Sequence, residues 1–181
     1  MILDATAGNR TMYRTKNTEH IIYIDIEKKL EVKPTIFASN INTPFLDNTF
    51  ATIIFDPPHG FGKGHPYYKY PDAKSFTEAW KGYGKIPRYY GWDKLRSGSH
   101  LTRYLYDAQK EFQRILKDDG LLWLKWNEVT MERYRIMPIF NDWDELLRIH
   151  QSLEETTAGK QRTYWICLCK KRGNERQVHL A

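Results

Sequence analysis

The chain has 181 residues, of which 41% are hydrophobic and 28% charged, with a mean hydropathy of -0.67. That is enough for one domain with a real core, and it excludes collagen-like, disordered and coiled-coil classes. The net charge of +6 and pI near 9.2 suggest an anionic partner.

No apolar run is long enough to span a bilayer. Met1-Ile2-Leu3 runs straight into Asp4, so no secretory leader is expected. The two cysteines, Cys167 and Cys169, are too few for a disulfide framework or a complete zinc site. They read as core thiols in a reducing, cytoplasmic setting, with no metal and no membrane partner expected.

Ile2-Leu3 is a short apolar start, followed by Asp4-Ala5-Thr6-Ala7-Gly8-Asn9-Arg10. A strand, a small-residue turn and a helix over about 12–17 would make a first βα unit. In such a unit the backbone lies open to a phosphate or a cofactor. Residues 19–25 read as a second, β-branched strand ending in Asp25, 17 residues after Gly8. An acid there is placed to accept hydrogen bonds from a ribose, or to cap the segment 26–32. Residues 34–38 read as a third strand ended by Ser39-Asn40. Asn40 suits either an adenine edge or a turn.

Residues 43–50 are a turn-rich link. Ala51 to Phe55 then reads as a buried strand running into Asp56-Pro57-Pro58-His59. Proline has no N–H for a ladder and a fixed φ, so the strand stops at a stiff corner. Such a corner, just past a strand's carboxyl end, is where open α/β sheets bind ligands. Taken alone, it is equally a proline-stopped strand before a surface loop.

From His59 to His100 the periodicity vanishes. This stretch holds +5 of the net charge of +6 and ten of the 26 aromatic residues. Phe61, Lys63, Tyr67, Tyr68 and Lys69 in its first part, with Arg88, Tyr89, Tyr90 and Trp92 in its second, interleave rings with cations. That pattern suits stacked bases and phosphates; the alternative is a lid with its own aromatic mini-core.

Order returns with Leu101, Tyr104, Leu105, Ala108, Phe112, Ile115 and Leu116 on one helical face. Ser99 is the expected N-cap and Gly120 the expected C-terminal glycine. Residues 121–126 read as a fifth strand. Pro138 is expected to open a helix to about Ile149, with Ile139, Phe140, Trp143, Leu146 and Leu147 inward. Residues 152–157 and 162–170 read as two closing strands. A single domain over 1–172 is expected, with 59–100 as an insertion and 173–181 as a tail; no internal repeat appears.

Taken together, these residues resemble a class I S-adenosylmethionine-dependent methyltransferase. Asp4-Ala5-Thr6-Ala7-Gly8 is similar to the motif that turns beneath the cofactor's methionine. Ile24-Asp25 resembles the ribose-binding acid, and Ser39-Asn40 stands at the adenine contact. Asp56-Pro57-Pro58-His59 resembles the D-P-P-aromatic motif of enzymes that methylate exocyclic amines of adenine or cytosine. Two departures stand out. Asn9-Arg10 replaces a usual second glycine, and His59 replaces a usual Tyr, Phe or Trp.

The resemblance covers about residues 1–58 and 101–171. It implies an α/β, Rossmann-like, mostly parallel seven-stranded sheet with flanking helices and a basic aromatic insertion after the fourth strand. It implies S-adenosyl-L-methionine as cofactor, held by Asp4, Thr6, Ala7, Gly8, Asp25, Ile26, Asn40, Ile41 and Asp56. Asp56 and the Pro57 carbonyl would accept the N–H groups of the target amine and free its lone pair. His59 would stack on the base. Pro58 and the aromatic and basic residues named above, from Phe61 to Trp92, would contact the nucleic acid. Adenine in DNA is the favoured acceptor. The alternatives are an RNA base, a protein or small-molecule acceptor, or a cofactor-free nucleic-acid-binding module. A monomer and a homodimer are equally compatible with the sequence.

Overall fold

A computed structural model describes residues 1–60, 95, 97–128, 130–151 and 163–171. Seven strands form one sheet: β1 (Ile2–Asp4), β2 (Ile21–Asp25), β3 (Ile36–Phe37), β4 (Phe50–Phe55), β5 (Leu116–Asn127), β6 (Trp143–Gln151) and β7 (Thr163–Lys170). Their order is β3-β2-β1-β4-β5-β7-β6. All neighbours are parallel except β7, which runs antiparallel to β5 and β6. This is the α/β sheet expected from the sequence. It turns back at β1, and the chain leaves β1, β2 and β4 on one edge, where such sheets hold ligands.

The long helix α1 (Gly98–Ile115) lays Leu101, Leu105, Ala108, Phe112 and Ile115 on the sheet, all fully buried. They meet Leu3, Ile53, Phe55, Leu122, Leu124 and Trp126 in one core. Each such side chain contributes about 1.5–3 kcal/mol, so α1 is fixed by its apolar stripe. Its N-cap is Ser97, whose hydroxyl accepts from His100 N–H, and not Ser99, which bonds Ser97 instead.

Four other expectations are corrected. Residues 12–17 form turns and bends, not a helix. The Arg10 guanidinium takes Lys16 O and Asn17 Oδ1 at 2.5 Å each, which folds the segment back on itself. Gly120 does not end α1, which stops at Ile115 and runs directly into β5. Between the pairs Phe50↔Leu116 and Thr52↔Leu121, β5 carries an irregularity that contains Gly120. A Cβ there would lie 2.7 Å from the Leu116 side chain and 3.0 Å from the Ala51 carbonyl, so only glycine fits.

The helix expected from Pro138 to Ile149 is also absent. Residues 133–136 form a short helix α2, and Met137–Phe140 a single 3₁₀ turn. The chain then becomes β6, paired along its length with β7. Pairing with the next strand in the chain overrides the local three-and-four spacing. Phe140 and Trp143 are buried as expected, but Leu146 and Leu147 lie exposed on this edge strand. The strand expected at 162–170 is β7, β6 occupies 143–151, and the strand expected at 152–157 lies outside the described residues.

Among the described residues no helix is long and apolar enough to cross a membrane. Cys167 is buried in β7 and Cys169 partly so.

Candidate functional site

The first turn is built by two carboxylates. Asp4 ends β1 fully buried; it accepts from Thr6 N–H (3.0 Å) and from the Tyr13 hydroxyl (2.9 Å). Asp25 ends β2; it accepts from Gly8 N–H (2.9 Å) and Glu27 N–H (2.8 Å). Ala7 N–H is bonded to Ile24 O and Ala5 N–H to Ile54 O. The N–H groups of Ala5, Thr6, Ala7, Gly8 and Arg10 are thus taken by carboxylates and carbonyls. No helix follows, so the turn lacks the helix N-terminus of a phosphate cradle, a correction to that part of the expectation. Gly8 has φ +49, and a Cβ built there would meet nothing within 4 Å. The backbone favours glycine here, and its open side leaves room for a ligand.

Asn9 and Arg10, the two departures in this motif, act as tethers. Asn9 Oδ1 accepts from Glu31 and Val32 N–H at 2.9 and 3.3 Å. Arg10 has φ 53, a left-handed backbone that costs about 1–2 kcal/mol for a side chain. It is buried, bonds Lys33 O at 2.6 Å as well as Lys16 and Asn17, and lies 3.7 Å from the Tyr23 ring centroid. Its charge is spent on the scaffold, and it does not line the cavity described next.

A cavity of about 540 Å³ opens at this edge. Thr6, Ala7 and Gly8 line it from the first turn, and Asp25 and Ile26 from the end of β2. Asn40 and Ile41 follow from the β3 side, and Asp56 and Pro58 from the corner after β4. All nine are residues expected from the sequence. The volume falls within the range of small-molecule and cofactor sites. Its charged described walls are Asp25, Glu27, Glu31 and Asp56, with no Lys or Arg among them. The lining favours a ligand that carries positive charge.

Three expected residues lie off the wall. Asp4 sits beneath the turn and supports it, so it is not a direct contact. Pro57 is buried. His59 is 7% exposed, and its ring stands edge-on to Trp126 (5.4 Å, 87°). Its Nδ1 accepts from Asn127 N–H (3.4 Å), which leaves the ring proton on Nε2, 2.9 Å from Asp56 Oδ1. Thr130 Oγ1 donates to its carbonyl. The expected stacking platform is instead a buried partner of Asp56. Phe61, Lys63, Tyr67, Tyr68, Lys69, Arg88, Tyr89, Tyr90 and Trp92 lie outside the described residues.

The corner itself holds a partner missed from sequence. Lys125 Nζ lies 2.9 Å from Asp56 Oδ2. Phe55 pairs with Leu124, so Asp56 and Lys125 stand at the next step of the β4–β5 ladder. Burial works against the Asp56 anion, but the donors from His59 and Lys125 hold its carboxyl below the usual carboxylate range. Asp56 N–H also donates to Thr6 Oγ1 (2.7 Å), which ties the corner to the first turn.

Tyr104 is a wall residue missed from the sequence. Its hydroxyl accepts from Asn40 Nδ2 (2.8 Å), which also donates to Ala5 O (3.0 Å). Burial pushes its phenol up, so it stays neutral. In the sequence Tyr104 is one apolar-face residue among seven, and its polar tip is the one signal that sets it apart.

No family model matches the chain, and no curated protein matches it. Solved structures do. A candidate type 11 methyltransferase from Sulfolobus solfataricus superposes with a TM-score of 0.52 at 16% identity, over 99% of this chain and 89% of that one. The PH0226 protein from Pyrococcus horikoshii OT3 superposes with a TM-score of 0.58 at 11% identity, over 94% and 81%. At these identities the likeness shows the fold, a Rossmann-like seven-stranded α/β sheet shared with methyltransferase-type structures.

Proposed function

We propose that this protein is an S-adenosylmethionine-dependent methyltransferase whose acceptor is an exocyclic amine of a nucleic-acid base, adenine in DNA being the favoured one. One observation carries the reading. Asp56, at the head of the Asp-Pro-Pro corner, lines the same cavity as the Thr6–Gly8 turn and Asp25.

The residues present fit the cofactor. Four carboxylates and no described cation line the cavity, and Gly8 leaves its side open. Asp25 and Glu27 at the end of β2 would hold the ribose end, with Ile26 and Ile41 against the adenine. When bound, S-adenosylmethionine supplies an electrophilic methyl group on a cationic sulfur.

The chain's own part is to prepare the nucleophile. An aromatic amine delocalises its lone pair into the ring and attacks poorly. An acceptor for its N–H₂ group favours the pyramidal form and frees that pair. Asp56 is that acceptor, since its anionic form offers lone pairs and no proton. Orienting the amine supplies much of the remaining rate by proximity. A base within a duplex is out of reach, so the target is flipped or already unpaired. The +5 charge and ten aromatics between His59 and His100 support a nucleic-acid partner. A cation in the first motif would favour the cofactor-free alternative, but the charge of Arg10 is absorbed by the scaffold.

The test is a methyl-transfer assay with radiolabelled S-adenosylmethionine on DNA and RNA, followed by nucleoside analysis and paired with calorimetry. The expected product is N6-methyladenine in DNA. Label in an RNA nucleoside or in cytosine would revise the acceptor. Cofactor binding without transfer to any nucleic acid would overturn the acceptor class. No cofactor binding at millimolar concentration would overturn the enzyme reading.

A further inference from the structure

A carboxylate has about four acceptor positions. At Asp56 one is met by a hydrogen bond, and a ring nitrogen stands close to the other oxygen. Lys125 Nζ takes Oδ2 at 2.9 Å, and His59 Nε2 faces Oδ1 at 2.9 Å. The Asp56 side chain is 8% exposed and that of Lys125 20%. Two partners on different elements hold the carboxylate, Lys125 on β5 by a hydrogen bond to Oδ2 and His59 at the corner by its close contact with Oδ1. Asp56 lines the cavity, with its Oδ1 atom itself buried.

We propose that Lys125 is a positioning residue of this site: together with His59 it clamps Asp56 as a fixed, acceptor-only anion, and so selects a nucleophile that carries N–H donors. The inference rests on the methyltransferase reading for its consequence, but not for the clamp itself. The alternative state explains why a clamp matters. A buried carboxyl without a cationic partner favours its protonated form, which presents an O–H donor to the amine. A donor aimed at the nitrogen would engage the lone pair that must attack. The same fixed anion repels carboxylate and phenolate acceptors, which places neutral amines within the substrate class and anions outside it.

The charged groups around Asp56 can be named element by element. His59 faces it from its own corner and Lys125 from β5. Asp4 on β1 lies near enough to interact as a like charge, and Asp25 on β2 acts on Asp4. Of these, Lys125 is the permanent cation, so its removal has the larger effect.

The experiment labels the protein with ¹³C at the Asp carboxyl carbons and assigns the Asp56 signal by its loss in Asp56→Asn. Wild type, Lys125→Met, Lys125→Gln and Lys125→Arg are then titrated by NMR. Calorimetry with S-adenosylmethionine checks that each variant is folded. In wild type the signal is expected to stay that of a carboxylate through the mildly acidic range. In the Met and Gln variants it moves upward by roughly two pH units or more, the size expected for a buried carboxyl that loses its cation. Lys125→Arg restores the wild-type titration.

In methyl transfer, Lys125→Met is expected to lose kcat as pH falls through its raised Asp56 titration, about tenfold per pH unit below it, over a range where wild type keeps its rate, with KM for cofactor changed less than about threefold. An Asp56 titration that is the same in Lys125→Met and wild type overturns the clamp and leaves the methyltransferase reading standing. A shifted titration in a protein that methylates no nucleic acid supports the clamp and overturns that reading.

Discussion

Asp4 and Asp56 occupy nearly the same place in the sheet, at the carboxyl ends of the adjacent parallel strands β1 and β4, and their chemistry is opposite. Asp4 is pushed up from 3.8 to about 6, first by burial, with the N–H of Thr6 and the hydroxyl of Tyr13 only partly offsetting it. Asp56 is equally removed from water, but His59 and Lys125 draw it below 3.8. Burial is common to both; the donor set decides the sign. Neutral donors suit a carboxyl whose task is to hold a turn. A cation suits one whose task is to remain an anion beside a nucleophile.

The largest expected effect breaks the Asp56 side. Asp56→Ala should lower methyl transfer at least about 10³-fold, since it removes an interaction used in the transition state. Cofactor affinity should change less than about fivefold, because Asp25 and the first turn are untouched. Methyl transfer at the wild-type rate would sink the role assigned to Asp56.

The next effect separates the two carboxyls by pH. A carboxyl raised on folding binds its proton more tightly in the folded chain than in the unfolded one. Asp4 therefore contributes stability that is full below pH 3.8 and is lost as pH rises through about 6. The rise corresponds to about 3 kcal/mol. Asp56 acts in reverse: its contribution is present above 3.8 and lost only as pH falls below that value. Between pH 4.5 and 7, urea denaturation should show Asp4→Asn free of the decline that wild type carries from this group. Asn keeps an acceptor for Thr6 N–H and removes the buried charge. Equal pH slopes in the two proteins would refute the assignment.

Much of this site was legible before the structure, and the reason is local. A strand end followed by Asp-Pro-Pro, and a small-residue turn with Gly8, are fixed by backbone chemistry within a few residues. What was not legible depends on partners far along the chain. Lys125 reads as one more polar residue of a strand until β4 and β5 are known to be neighbours, in register at Phe55 and Leu124. His59 has a flat ring like the aromatics of similar motifs, but its nitrogens find Asp56 and Asn127, and Trp126 fills the space beside it. Residues 138–149 carry helical spacing, yet the free edge of β7 claims them as β6. The helix expected at 12–17 gives way to the reach of one guanidinium.

The smallest effect tests how neutral donors serve Asp4. Tyr13 donates its hydroxyl to Asp4 Oδ2 at 2.9 Å and sets its ring edge-on to Tyr23 (5.6 Å, 85°). Burial and the neighbouring Asp4 push its phenol up, so it remains a donor across the ordinary pH range. Tyr13→Phe keeps the ring contact and deletes only the hydrogen bond. With Asp4 ionised, that bond is charge-assisted and its loss should cost about 1.5–3 kcal/mol; with Asp4 protonated it should cost about 0.5–1.5 kcal/mol. Denaturation at pH 7.5 and at pH 4.5 should therefore give a larger penalty at the higher pH. In an Asp4→Asn background the difference between the two pH values should vanish, since the charge that creates it is gone. No penalty at either pH in the wild-type background would mean that Tyr13 supports the turn through its ring alone, and an equal penalty at both would mean that Asp4 does not change its charge between them.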